Sequence, residues 1–399
     1  MHINQHNPNT LYSGDTIQRE WAGARDIKVL CNGFDAASLH AGSFAHPLVR
    51  RVPVKDFLRL AGNAPIVDVR SPAEFARAHI PNAVNIPLFD NDERAKVGTA
   101  YTQIGPREGI RIGLAYARAK AEQLVHAFAA VRAPYAKDAP LGIYCLRGGM
   151  RSASLAWLLS TVAVVECRLL ERGYKAFRRC VLDCFAYPRP MRILGGKTGA
   201  GKTHVLTLLA QRGFSVVDLE KLAEHRGSAF GQTAFPQPTT EHFENRLAVA
   251  LLRLPQDEPV WIEDESENIG SVNIPRSFHK QMQAASPLLL ETPDEARLER
   301  VLEEYGTLPR NNMAEALDRI RKRLGGAAHK EARALLETGD LRGLARILLE
   351  YYDRSYAKQL SSRTPLGVVQ AMDPAEAAAI LVRDYTNKPC LAPCVSATA

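Results

Sequence analysis

The chain has 399 residues, 46% hydrophobic and 24% charged, enough to bury a core and to form two domains more readily than one. Its 51 Lys and Arg exceed 43 Asp and Glu, giving a formal net charge of +8 that favours polyanionic partners. No apolar run approaches the roughly 18 residues of a membrane span, and the polar start with His2, Asn4, Gln5 and Asn7 lacks the order of a signal peptide, so no membrane association and cytoplasmic residence are expected.

In chain order, residues 1–50 are polar and weakly periodic and read as an N-terminal extension. From Val52 the pattern sharpens. Ile66–Val69 and Ala83–Pro87 read as short strands, residues 108–132 as a long helix, and Leu141–Tyr144 as a buried strand. An apolar helix over Leu155–Leu159 and a strand over Val164–Leu169 follow, and Pro188-Arg189-Pro190 closes a first domain over residues 51–188. A second domain, residues 189–399, opens with a strand at Met191. A helix from Lys202 to about Gln211 comes next, then strands at residues 215–217, 260–262 and 288–290, after which helical periodicity dominates residues 294–360. Strands alternating with helices imply an α/β chain with parallel sheets and a helical C-terminal part.

Seven cysteines are an odd number for a fully paired framework, so reduced thiols are expected. Cys180 and Cys184, like Cys390 and Cys394, stand four apart, a spacing open to metal binding or a disulfide, but without the C-x2-C spacing of a zinc knuckle they read as incidental.

The strand at Leu141–Tyr144 runs into Cys145-Leu146-Arg147-Gly148-Gly149-Met150-Arg151-Ser152. A cysteine between a strand end and a helix start faces several backbone N–H groups and the positive end of the helix. With Arg147 and Arg151 beside it, Cys145 reads as a nucleophile active near neutral pH. Gly148, Gly149 and Met150 supply the loop backbone, the glycines permitting positive φ and close approach. Cys145-x5-Arg151 is also the spacing with which cysteine phosphatases cradle a phosphate, so the loop by itself leaves the chemistry open.

Gly196-Lys197-Thr198-Gly199-Ala200-Gly201-Lys202-Thr203 satisfies G-x4-G-K-[ST] in full, between a predicted strand and a predicted helix. Gly196, Thr198, Gly199, Ala200 and Gly201 would cradle a di- or triphosphate, Lys202 would reach its terminal oxygens, and Thr203 would hold Mg2+. Asp264, flanked by Glu263 and Glu265 after the strand at 260–262, is the candidate acidic partner of that ion, with Asp218 a weaker alternative.

Asp68-Val69-Arg70-Ser71-Pro72-Ala73-Glu74-Phe75 and His79-Ile80-Pro81-Asn82-Ala83-Val84-Asn85-Ile86-Pro87 resemble the opening of a rhodanese domain. Asn91-Asp92-Glu93-Arg94, Val97-Gly98-Thr99, Tyr101, the Cys145 loop with Ala156-Trp157-Leu158-Leu159, and Gly173-Tyr174-Lys175-Ala176-Phe177-Arg178 extend this to a resemblance to the tRNA 2-selenouridine synthase family. The family commonly has Trp after its active cysteine; here Leu146 stands there. The resemblance implies a rhodanese-like domain followed by a P-loop domain. It further implies a transferase that replaces sulfur by selenium in the wobble 2-thiouridine of tRNA, by S-geranylation with geranyl diphosphate and then selenation with selenophosphate. A tRNA anticodon stem-loop and an enzyme supplying selenophosphate are the implied partners. ATP is the general expectation for the P-loop, and a cysteine phosphatase or persulfide sulfurtransferase fused to an ATP-dependent domain is the alternative. Arg178-Arg179, Arg189 with Arg192, and Arg319, Arg321, Lys322 and Arg323 are candidate RNA contacts, each also readable as a solvated face. Tyr187 and Phe185 are candidates to stack on a base, with core packing the alternative for Phe185.

Overall fold

The computed structural model describes residues 44–386 apart from 229, 232–234, 307, 361 and 362. Most of the expected N-terminal extension, and Cys390 with Cys394, lie outside the described residues. The chain divides into two units, Met1–Cys180 and Val181–Ala399.

The first unit is built on a parallel sheet of order β1-β5-β4-β2-β3, comprising β1 (Val49–Val52), β2 (Ile66–Asp68), β3 (Val84–Asn85), β4 (Leu141–Tyr144) and β5 (Cys167–Leu170). Every residue of β2 and β4 is buried, as expected of strands covered on both faces. The long helix α1 (Pro106–Arg132) turns Leu124, Val125 and Phe128 inward, and α2 (Met150–Ala163) turns in Leu155, Ala156 and Leu159. These meet Val67, Val69, Ile143 and Leu169 in one core. Only Val84 and Asn85 of the expected strand Ala83–Pro87 pair, along β2. The expected strand at Val164–Leu169 begins later, at Cys167, because Val164 takes a left-handed conformation (φ 52°) that closes α2 before the chain can extend.

The second unit carries a parallel sheet of order β12-β11-β6-β8-β7. Its strands are β6 (Met191–Gly196), β7 (Val216–Val217), β8 (Val260–Glu263), β11 (Leu288–Glu291) and β12 (Gly367–Gln370), with a separate antiparallel pair, β9 (Asn268–Ile269) and β10 (Val272–Asn273). The central strand β6 is buried throughout and leads into α3 (Lys202–Gln211). Four consecutive helices, α4 (Asp294–Tyr305), α5 (Arg310–Leu324), α6 (Gly326–Thr338) and α7 (Leu341–Leu360), assemble their own core from Leu298, Met313, Leu317, Leu344 and Leu348. The chain then returns to the sheet through β12, which pairs in parallel with β11. This strand, absent from those expected, has only Val369 of its four residues buried, too few for an apolar signature.

The division falls inside the helix Gly173–Cys184, upstream of Pro188-Arg189-Pro190. Its physical basis is the packing of Phe185, which is buried against Phe278 with ring centroids 6.0 Å apart and whose carbonyl accepts a hydrogen bond from Gln281 Nε2. Among the described residues no helix is long and apolar enough to cross a membrane.

Candidate active site

Strand β4 delivers Cys145 to the C-terminal edge of the first sheet, and α2 starts five residues later at Met150, which is half-buried. The carbonyls of Cys145 and Leu146 accept hydrogen bonds from the backbone N–H groups of Tyr174 (2.9 Å) and Lys175 (3.1 Å), and that of Gly148 accepts from Arg51 Nη1 at 2.6 Å. A trans peptide sets each N–H opposite the preceding carbonyl, so the N–H groups of Leu146, Arg147 and Gly149 point to the other side of the loop. Gly148 has φ +64°, and a Cβ there would lie 2.8 Å from the Leu170 carbonyl oxygen, so both conformation and space demand glycine. Gly149 caps α2 with no side-chain hydrogen bond, leaving the first-turn N–H groups of the helix to an incoming anion.

The Cys145 thiol is 2% exposed, and its Sγ lies 3.3 Å from Ser152 Oγ. The expected arginine environment is only partly formed. Arg147 is exposed, and Arg151 gives Nη1 to Glu74 Oε2 at 2.9 Å. The same carboxylate oxygen accepts the Ser71 N–H at 3.0 Å and stands 3.8 Å from Arg94 Nε. Burial pushes the Glu74 carboxyl up, but the hydrogen bond and charge of Arg151 outweigh it and hold the group below the ordinary glutamate range. Beneath the loop, the buried pair Asp68–Arg70 (2.6 Å) lies with the Arg70 guanidinium 3.9 Å over the Tyr174 ring. Ser152, Glu74 and Asp68 were not singled out by sequence reasoning. Only the capping pattern Ser71-x-x-Glu74 could have marked Glu74, and then as a helix cap.

The phosphate loop of the second unit is held in the same manner. Thr198, Gly199 and Ala200 turn their carbonyls outward to Arg297 Nε (2.9 Å), Arg300 Nη1 (3.0 Å) and Thr292 Oγ1 (3.1 Å). Gly199 has φ +75°, and a Cβ would meet the Arg297 carbonyl oxygen at 2.7 Å. Gly201, at the N-terminus of α3, also has positive φ. Lys202 Nζ reaches back to the Gly196 carbonyl oxygen at 2.8 Å, across the loop that would receive a phosphate. The Gly196 N–H donates to Tyr356 Oη at 2.8 Å. Arg297 is buried and paired to Asp353 (2.5 Å) and Asp294 (2.7 Å), while Lys197 Nζ stands 3.3 Å from Asp353.

Asp264, the expected acidic partner of the ion, has Oδ1 paired and Oδ2 buried without a partner. Its carboxylate is buried and paired with Arg363 Nη1 at 2.6 Å, and the carboxylate beside Thr203 is that of Glu220, with Oε2 3.3 Å from Thr203 Oγ1. Successive residues of an extended strand face opposite ways, so at the end of β8 Glu263 turns toward Glu220 while Asp264 turns toward Arg363. Asp218 caps the short helix Leu219–Ala223 by accepting from the Lys221 N–H. Glu263 Oε1 accepts the Glu220 N–H at 3.0 Å, and Oε2 is buried without a partner. Burial, reinforced by Asp218, Glu220 and Glu265, raises the Glu263 carboxyl well above its ordinary range. Burial likewise pushes Glu265 up to about 7 against the pull of Lys202. Among the described residues no three His, Cys, Asp or Glu side chains could hold a metal on their own. Hard oxygens beside a phosphate loop, one of them an orphaned buried carboxylate oxygen, do fit a divalent cation. Thr203 and Glu220 would hold it, and it would supply neutralisation of a departing diphosphate.

The candidate RNA contacts separate into two groups. Arg189 donates to the carbonyls of Leu251 and Pro255, and Arg192 is buried beside Trp261 with Nη2 on the Thr386 carbonyl, so both serve the fold. Arg179, Arg319, Arg321, Lys322, Arg323 and Tyr187 are exposed, whereas Phe185 is core. Cys180 and Cys184 form no disulfide.

Comparison with known proteins finds a different family match in each unit. Residues 189–385 match the family described as tRNA 2-selenouridine synthase AAA domain, and residues 54–180 match the rhodanese-like domain. A protein of Shewanella loihica (strain ATCC BAA-1088 / PV-4) named tRNA 2-selenouridine synthase is 38% identical over 362 residues, covering 82% of this chain and 95% of the relative. Proteins of the same name from Shewanella pealeana and Shewanella piezotolerans are each 36% identical, each alignment covering 79% of this chain and 94% of the relative.

Proposed function

Because the chain belongs to the tRNA 2-selenouridine synthase family, whose members are tRNA-modifying transferases, we propose that it exchanges sulfur for selenium at the wobble 2-thiouridine, position 34, of tRNA. The exchange has two steps. The 2-thio sulfur attacks the first carbon of geranyl diphosphate, the carbon–oxygen bond breaks, diphosphate leaves, and the base gives up its N3 proton. The selenium of selenophosphate then adds at C2 of the base, the C2–sulfur bond breaks and geranylthiol departs, and water cleaves the selenium–phosphorus bond, releasing phosphate and leaving 2-selenouridine with its N3 proton restored.

The observation that carries this reading is the presence in one chain of two loops whose carbonyls are tied outward, so that the opposite peptide N–H groups, apart from that of Ala200, which donates to the Lys197 carbonyl at 3.1 Å, are turned toward an anion. Lys202 and the phosphate-loop N–H groups would take the charge of the leaving diphosphate, a task needing no covalent intermediate. Cys145 would act in the selenium step, where the N–H groups of its loop and of α2 would be available to an anionic adduct on the sulfur. A cysteine-phosphatase reading is weaker, because Arg151, which would have to cradle the phosphate, is engaged by Glu74. The exposed cations Arg319, Arg321, Lys322 and Arg323 suit the anticodon stem-loop, and an enzyme supplying selenophosphate is the partner this chemistry requires.

Nucleoside mass spectrometry of tRNA tests the proposal. Cells lacking the protein are expected to lose 2-selenouridine; those carrying Lys202→Ala should retain 2-thiouridine, and those carrying Cys145→Ser should accumulate the S-geranyl nucleoside. Persistence of 2-selenouridine in cells without the protein would overturn it.

A further inference from the structure

Beside the phosphate loop, the second unit holds a cavity of about 620 Å3 that none of the steps above has used. That volume is within the range of about 300–1,000 Å3 typical of small-molecule sites. One end is formed by Gly196, Lys197 and Ala200 of the loop itself, so a ligand gripped there by its phosphates would extend into this space. The apolar part of the wall comes from Leu289 and Leu290 of β11, Ala357 and Leu360 of α7, and Ala371 after β12.

The polar side chains that also border the cavity, Glu291 and Glu376 among them, make hydrogen bonds or ion pairs within the protein, Glu376 Oε2 accepting the Met372 N–H at 3.4 Å. Gln370 Nε2 donates to Glu291 Oε2 at 3.3 Å, Thr292 Oγ1 to the Ala200 carbonyl, and Tyr356 Oη accepts the Gly196 N–H. Arg297 is saturated by Asp353, Asp294 and the Thr198 carbonyl. A nucleoside would need free donors and acceptors for its base and ribose, whereas a hydrocarbon chain needs only apolar wall. The cations lie at the loop end, where a diphosphate would sit: Arg297 is paired with Asp353 and Asp294, and the Lys197 Nζ stands 3.3 Å from Asp353.

We infer that this cavity receives the hydrocarbon chain of the diphosphate donor, with Ala357 and Leu360 of α7 forming the wall that measures it. The inference rests on the prenyl-donor reading above. It places the reacting carbon at the junction between Lys197 and the apolar wall.

The test is binding by calorimetry to the full-length protein, with geranyl diphosphate, inorganic diphosphate and ATP as probes. The wild-type protein is expected to bind geranyl diphosphate about tenfold or more tightly than inorganic diphosphate, since the chain adds apolar burial to the same head group. Ala357→Trp, which fills the cavity from an exposed helix position, should remove that advantage and leave inorganic diphosphate affinity within about twofold. Ala357→Leu should lie between the two, and an unchanged melting temperature checks the fold. Loss of ATP binding in Ala357→Trp with geranyl diphosphate binding intact would overturn the inference in favour of a nucleoside. Wild-type protein that transfers geranyl while Ala357→Trp binds it equally well overturns the cavity assignment alone. Wild-type protein that neither binds nor transfers geranyl overturns the donor reading, and this inference with it.

Discussion

The sulfur of Cys145 sits 3.3 Å from the hydroxyl of Ser152, whose oxygen is in turn 3.2 Å from the Gly149 carbonyl. A thiol can donate to that hydroxyl while the hydroxyl donates to the carbonyl. A deprotonated sulfur requires the hydroxyl to turn and donate to it instead. Ser152 thus supplies the charged form with a hydrogen bond that the two arginines, one exposed and one paired to Glu74, leave to it.

Ser152→Ala should therefore slow alkylation of Cys145 by iodoacetamide by about tenfold at neutral pH, the value of one hydrogen bond to a charged group. Ser152→Thr should restore the rate. Peptide mass spectrometry separates Cys145 from the other thiols, and equal rates in the alanine variant would show that the serine only fills space.

Glu74 gives a pH-dependent stability of known sign. Its folded pKa lies below the ordinary 4.5, so its contribution is fully present above that value and is lost as pH falls through the folded pKa. Glu74→Gln should cost about 1–2 kcal/mol in urea unfolding at pH 7, and the difference from wild type should shrink steadily once the pH drops below about 4.5.

Replacing Lys202 with Ala should reduce geranyl transfer by about a hundredfold or more, because Lys202 is the side-chain cation poised across the phosphate loop. Alkylation of Cys145 should be untouched. Parallel loss of both would mean that the substitution damages the chain as a whole.

The pairing of Asp264 with Arg363 predicts stability in place of metal binding. Arg363→Ala strands a buried carboxylate and should cost about 3–5 kcal/mol, and adding Asp264→Asn should recover part of the loss. Glu220→Gln should raise the Mg2+ concentration needed for half-maximal geranyl transfer. If Asp264→Asn does so and Glu220→Gln does not, the assignment of the carboxylate beside Thr203 is wrong.

For the RNA contacts, joint replacement of Arg321, Lys322 and Arg323 by Ala should weaken tRNA binding and flatten its dependence on salt by up to about three in the log–log slope. Geranyl diphosphate binding should stay as in wild type. An unchanged slope would remove the end of α5 from the RNA surface.

Both loops were legible in the sequence because each is a run of consecutive residues, Cys145 to Ser152 and Gly196 to Thr203, whose glycine spacing is read directly along the chain. The alternation of buried strands with amphipathic helices likewise announced parallel sheets. What decided the surroundings of each loop came from far along the chain: Glu74 for Arg151, Arg363 for Asp264, Glu220 for Thr203, and Tyr356 for the Gly196 N–H. Glu263, Asp264 and Glu265 look interchangeable as letters. Only the register of β8 beside β6 turns one toward the phosphate loop and the next toward an arginine, because adjacent residues of an extended strand point to opposite faces. A local backbone cradle is written in contiguous residues, whereas the charges and walls that complete it depend on which distant side chains the sheet order brings to its edge.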